Sequence, residues 1–261
     1  MTTMAPTRPR TGALPRDEAM RLAATEYQRL VDLLGALRPQ DWTAPTDCIG
    51  WDVRSIAAHA LGMIEMAASI RETIRQNRAA GRLLLAQGGL QIDALTAVQV
   101  GERAAMTPEQ LLARIAARAP KAAAARRRTP GLIRRRRLPI AQQVGDSQEM
   151  WTLGYLIDVI LTRDPWMHRI DIVRATGAPH VLTPEHDGRL VADVVAEWAA
   201  RHGKPYTLRL SGPAGGEWST GMDGPVIAMD AVQFCRVVSG RGSHQDLPAD
   251  AKSLLATAVP F

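Results

Sequence analysis

Three residues in the stretch TRDPWMHRID, positions 162–171, have the types and spacing to do chemistry: Asp164, His168 and Asp171. Offsets of four and three residues bring such side chains onto one stripe of a helix. The stripe is either an exposed salt-bridge pattern or half of a metal site. In a helical bundle a metal site draws inward-facing side chains from separate helices. A carboxylate and an imidazole one turn apart can chelate from one helix while a second helix supplies the third ligand. His59 is the candidate for that third position, since it shares an apolar stripe with Ile56, Met63, Met66 and Ile70.

Each of these residues also has a plainer reading. His59 alone would be read as a core imidazole bonded to a carbonyl. Asp164 precedes Pro165, and proline suits the first turn of a helix, so Asp164 could instead cap a helix start through its oxygen. Taken together, His59, Asp164 and His168 would offer two nitrogens and one oxygen with positions left open, as catalytic zinc sites require. That donor set makes zinc the default, with nickel, iron or manganese allowed. Asp171 would then accept a hydrogen bond from an imidazole's second nitrogen or pair with a neighbouring arginine. The remaining histidines ask for no chemistry: His180 and His186 flank a helix start, His202 a helix end, and His244 a terminal loop.

The elements that must position these residues are mostly helices. Apolar residues recur at three and four from Asp17 to Leu37, and again from Trp51 to Asn77, predicting two long amphipathic helices. A third begins at TPEQLLARIAARA, where Thr107 caps, Pro108 suits the first turn and Gln110 completes a capping box. A fourth is read from Glu149 to Gly177. Four helices in this length predict an antiparallel bundle over residues 17–177, preceded by a disordered tail over residues 1–16. Beyond a boundary near residues 176–182 the pattern changes. TPEHDGRLVADVVAEWAARHG is one more capped helix, YTLRL, EWST and PVIAM read as short strands, and DAVQFCRVVSGRG closes as a helix capped by Asp230. Residues 178–261 are therefore expected to form a small mixed αβ domain, and the fold class is an all-α bundle followed by an α+β unit.

Composition narrows the partners. The 261 residues carry a formal net charge of +6, but RRRTPGLIRRRR alone holds seven arginines and no acid, and without them the balance is −1. This stretch lacks the aromatic residues on which bases stack, so it is read as a solvated loop and not as a nucleic-acid interface. A lesser reading lets some of these arginines overhang a pocket and attract an anionic substrate. The two cysteines, Cys48 and Cys235, lie far apart without metal or redox spacing, which fits a reducing cytoplasm. The opening residues lack a signal-peptide core, and no apolar run is long enough to cross a bilayer, so no membrane partner is expected.

Two motifs also carry a family resemblance. TDCIGWDVRSIAAHALG resembles a hallmark of the mycothiol-dependent maleylpyruvate isomerase family, a Cys-x-Gly-Trp turn leading into a helix with a metal-binding histidine. YLIDVILTRDPWMHRIDIVRATG resembles its second hallmark, the helix that supplies a carboxylate and a histidine. The helical part is similar to a DinB-like four-helix bundle, and MDAVQFCRVVSGR is similar to the family's small sterol-carrier-like domain.

The resemblance implies metal ligands at His59, Asp164 and His168, with aspartate where active members can have glutamate. It places the family's essential C-terminal arginine at Arg241, with Arg236 as the fallback, and gives Cys48 no ligand role, leaving it as a buried packing residue. It also implies a divalent metal, mycothiol as thiol cosubstrate, and an electrophilic, anionic small-molecule substrate that is isomerised or S-conjugated. Pairing of two copies through helix faces is allowed. The alternative is a non-catalytic, metal-containing small-ligand-binding protein on the same fold.

Overall fold

The computed structural model describes residues 9–243 and 249–261. His244 and the first eight residues of the expected tail lie outside the described residues. The chain packs as two units. One comprises Pro15–Arg134 and Ile157–Pro179; the other comprises the residues up to Leu14, Arg135–Leu156 and His180–Phe261.

The helical unit begins with α1 (Arg16–Ala36), a 3₁₀ turn (Pro39–Thr43) and α2 (Val53–Ala68). Then come α3 (Ile70–Gln87), α4 (Gln91–Gly101), α5 (Pro108–Arg128) and the single turn α6 (Gly131–Arg134). The last long helix is α8 (Leu161–Thr176), which the chain enters from the short α7 (Leu153–Tyr155) of the other unit through a π-helical turn (Leu156–Ile160). Helices α1, α2, α5 and α8 form the bundle. Its core is Leu30 and Leu34 from α1, Ile56, Leu61 and Ile64 from α2, Leu111 and Ile115 from α5, and Ile172 from α8. Each such side chain contributes about 1.5–3 kcal/mol when fully buried. A buried ion pair, Arg169 Nε to Glu26 Oε1 at 2.9 Å, adds a polar tie between α8 and α1.

Local chemistry explains where the helices stop and start. Asp52 caps α2, accepting from the Ser55 amide at 2.7 Å. Thr107 and Gln110 form the expected capping box on α5, and α8 ends on left-handed Gly177 at φ 68°. The helix expected from Trp51 to Asn77 is in fact two. It breaks at Ser69, which adopts an extended conformation and accepts from the Glu72 amide. The apolar period runs on through this break, and Ser-x-x-Glu, a helix-start signal, marks it. The helix α4 was not expected; with α3 it forms a hairpin that packs on α2.

The stretch RRRTPGLIRRRR departs from its reading as a solvated loop. Arg127, Arg128, Arg135, Arg136 and Arg137 are exposed, but Arg126 and Arg134 are buried. The first three arginines are the last turn of α5, so the chain rotates one of them inward.

The smaller unit holds a hairpin of β1 (Gln142–Val144) and β2 (Ser147–Glu149) and a sheet in the order β4-β3-β5. In that sheet β3 (Tyr206–Ser211) runs antiparallel to β4 (Gly216–Thr220) and parallel to β5 (Val226–Asp230), with Leu208 opposite Trp218 and Ile227. The three strands expected from YTLRL, EWST and PVIAM are these. Helices α9 (Arg189–His202), α10 (Ala231–Val238) and α11 (Ala249–Leu255) complete the unit around Trp198. Buried Trp198 meets Tyr206 and Phe234 edge-on and donates its indole N–H to the Leu254 carbonyl at 3.0 Å. The tail expected over residues 1–16 is tied down near its end. The Arg10 amide donates to Met150 O at 2.8 Å, and its guanidinium reaches Glu149 at 2.7 Å. Among the described residues no single helix is long and apolar enough to cross a membrane.

Candidate metal centre

The segment that presents Asp164 and His168 is an irregular helix held in place by a buried arginine. Pro165 has no N–H, which leaves the carbonyl of Leu161 without its helical partner. A wide π-helical turn, Leu156–Ile160, immediately precedes it. Arg126 satisfies what these two features expose. It donates to Leu161 O at 2.9 Å, to Ile157 O at 3.0 and 2.5 Å, to Thr162 Oγ1 at 2.6 Å and to Tyr27 Oη at 3.0 Å. All five guanidinium N–H groups are used. Asp164 consequently sits within a continuous helical path and not at a helix start, because the residue before α8, Ile160, is itself helical and makes no side-chain cap.

From α8, Asp164 and His168 meet His59 of α2. Asp164 Oδ1 lies 3.4 Å from His59 Nε2 and 3.5 Å from His168 Nε2. The two imidazole rings are 5.2 Å apart and nearly perpendicular, and both residues are only 4 % exposed. Trp51, from the turn before α2, lies against both rings, with centroids at 5.4 and 6.0 Å.

The far nitrogen of each imidazole is engaged. His168 Nδ1 is 3.2 Å from Oδ2 of fully buried Asp171, and His59 Nδ1 is 2.8 Å from Gln99 Oε1 on α4. Both partners are acceptors, so each Nδ1 carries a proton and each Nε2 faces Asp164. The two Nε2 atoms and Asp164 Oδ1 then converge on one point, where either imidazole protons or a metal ion can sit.

Electrostatics point the same way. Burial opposes ionisation of Asp164, yet the charges of His59 and His168 outweigh it and hold the carboxyl well below the usual carboxylate range. Burial likewise disfavours a charged His168, but Asp164, Asp171 and Cys48 raise its pKa well above the ordinary imidazole value. The cluster thus favours positive charge at its centre, whether a proton or a metal ion supplies it.

His59, Asp164 and His168 offer ligand atoms that all lie within 4.8 Å of one another, as do Cys48, His168 and Asp171. The second group would use His168 Nδ1, which the Asp171 carboxylate already occupies; the first uses the nitrogen aimed into the cluster. The donor chemistry of the first, two imidazoles and one carboxylate, suits a divalent ion with open positions.

A family model for the mycothiol maleylpyruvate isomerase N-terminal domain matches residues 23–173, more than half of the chain. The chain belongs to the mycothiol maleylpyruvate isomerase family. Its fold is similar to the crystal structure of the mycothiol-dependent maleylpyruvate isomerase, with a TM-score of 0.54 and 16% identity over 88% of this chain and 91% of that one. A second crystal structure of that enzyme, a histidine-to-alanine mutant, is similar at a TM-score of 0.53 and 16% identity, over 91% and 96% of the two chains. No curated protein matches the sequence. Within this maleylpyruvate isomerase-like fold the three expected ligand positions converge in the bundle.

Arg241 belongs to the other unit, in the turn that follows α10. Its amide donates to Arg236 O at 2.8 Å, and its carbonyl accepts from Arg236 Nη2 at 3.0 Å. Arg236 is buried and Arg241 half-buried.

Two participants were not seen in sequence. Gln99, fully buried on the unexpected α4, was hidden because a lone amide in ALTAVQVG carries no periodic signal. Arg126 was hidden among exposed arginines. Cys48, read as packing, is half-buried and does pack on the bundle core. Its thiol also lies 3.4 Å from Asp171 Oδ2, to which it donates.

Proposed function

We propose that this protein is a metal-dependent enzyme that activates a low-molecular-weight thiol, mycothiol or a close analogue, for attack on an electrophilic small molecule. His59, Asp164 and His168 hold the divalent ion, zinc by default. The observation that carries this reading is the convergence of two Nε2 atoms on Asp164 Oδ1, at 3.4 and 3.5 Å, with both Nδ1 atoms tied to acceptors. Such an ion, when bound, lowers the pKa of a coordinated thiol so that thiolate is available at neutral pH.

The chain's own residues do the rest. Asp171, against His168 Nδ1 at 3.2 Å, orients that imidazole. Trp51 covers the imidazole rings and shields them from water. Arg241, the position corresponding to the family's essential arginine, is assigned the contact with a substrate carboxylate through a bidentate pair. The outcome is isomerisation if the thiol leaves again after rotation about a conjugated bond, and S-transfer if it stays.

The test is thiol consumption and product formation with mycothiol and a panel of electrophiles that includes maleylpyruvate. The expected result is turnover by the parent, its loss in His168→Ala, and a fall of orders of magnitude in Arg241→Ala with folding and metal content retained. Turnover by Arg241→Ala as fast as by the parent would remove that residue from the site.

A further inference from the structure

The hairpin α3–α4 contributes no ligand, yet it carries a chain of buried amides that ends on one. Gln99 and Gln76 are both fully buried. The direction of each hydrogen bond follows from the charged end. Glu72 is held by Arg75, whose guanidinium Nη2 and Nε donate to its carboxylate at 2.6 and 3.0 Å. That contact, outweighing burial, brings the Glu72 pKa down to about 2, so the group is an acceptor at neutral pH. Gln76 must therefore turn its Nε2 toward Glu72 Oε1, at 3.0 Å, where it also reaches Gly62 O at 3.2 Å.

Its oxygen is left to accept from Gln99 Nε2 at 3.0 Å. The same Gln99 Nε2 lies 3.2 and 3.3 Å from the sulfurs of Met63 and Met66, which are weak acceptors. Gln99 Oε1 is then the atom that faces His59 Nδ1 at 2.8 Å, and only a protonated Nδ1 completes the bond. Glycine at position 62 makes room for this arrangement. A Cβ there would come within 2.5 Å of Gln99 Cγ and 2.8 Å of its Cβ.

We propose that Gln99 is the positioning residue for His59, fixing its Nδ1–H tautomer so that Nε2 faces the metal position, and that Gly62 is required to admit it. The proposal rests on the metal reading given above for its consequence, though not for its geometry. The helical hairpin is then the outer support of the site, and its two buried glutamines relay a fixed hydrogen-bond direction from Glu72 to His59.

Two measurements test this. The imidazole nitrogen spectrum of the metal-free protein, with His59 assigned by its loss in His59→Ala, should show the proton on Nδ1 in the parent and lose that preference in Gln99→Leu. Competition titration with a chromophoric chelator should show zinc dissociation constants raised 10–100-fold in Gln99→Leu and in Gly62→Ala, the range typical of such supporting partners. Circular dichroism of the metal-free proteins separates loss of positioning from loss of fold, and if Gly62→Ala does not fold, Gln99→Leu decides. Parent-like zinc affinity in Gln99→Leu together with an unchanged His59 tautomer overturns the proposal. A parent that binds no zinc overturns the metal reading instead, and the nitrogen spectra still decide the role of Gln99.

Discussion

Replacing Arg126 with methionine removes the clamp on the bulged helix while keeping much of the side-chain volume. In the parent, the carbonyls of Leu161 and Ile157 take three of the five guanidinium N–H groups, and Pro165 offers Leu161 O no helical substitute. Each buried carbonyl left without a donor costs about 1–3 kcal/mol, so two cost roughly 2–6. Removing a buried cation that is bonded only to neutral groups returns part of this, since an ion without a carboxylate partner is itself costly to desolvate. The net expectation is a loss of about 2–4 kcal/mol. For a chain of this size that corresponds to a fall in Tm of about 4–16 °C. Thermal and urea unfolding of the metal-free protein measure it, with the exposed neighbour Arg127→Met as control, expected within about 0.5 kcal/mol of the parent. Arg126→Lys should fall between the two, because an ammonium cannot reproduce the planar fork. Equal stability of Arg126→Met and Arg127→Met would refute the reasoning that this arginine holds the helix around Asp164.

Further predictions concern the other charges. Arg134 pairs with Asp158 and donates to Arg126 O at 2.6 Å, so Arg134→Gln should cost about 3–5 kcal/mol, whereas Arg135, Arg136 and Arg137→Gln should each change stability by less than about 0.5 kcal/mol in urea melts. Glu149, half-buried between Arg10 and Arg201, is driven up by burial, but the two guanidinium groups overcome this and hold its pKa near 2 against an ordinary 4.5. The stabilisation this provides is fully present above about pH 4.5 and is lost as pH falls toward 2. The stability gap between the parent and Glu149→Gln should therefore be constant from pH 7 to 5 and close between pH 4.5 and 2.5 in urea titrations. A gap that stays constant down to pH 2.5 contradicts this assignment.

What the sequence disclosed and what it hid have physical reasons. The convergence of His59, Asp164 and His168 was legible because they are polar residues at helical spacing on largely apolar helices, and because Gly177 marked the end of the helix that carries two of them. Whether Asp164 capped a helix or sat within one was not legible, since the answer depends on Arg126, 38 positions earlier in the chain. An arginine cluster reads as solvated because charge is counted by segment, while burial is decided residue by residue around the helix. The break at Ser69 was hidden by an apolar period that continues across it. Gln99 and Gln76 were invisible for another reason: a buried amide has meaning only in relation to the group it faces, and both lie on a hairpin whose packing no local pattern announces.

The central claim is that His59, Asp164 and His168 form one divalent metal site. Elemental analysis of the purified and zinc-reconstituted protein, followed by a zinc titration of the parent and of His168→Ala, tests it most directly. About one ion per chain in the parent, bound with an affinity that His168→Ala loses by orders of magnitude, is the predicted result. A parent that holds no divalent ion after reconstitution, or a His168→Ala variant that binds zinc as tightly as the parent, would contradict it.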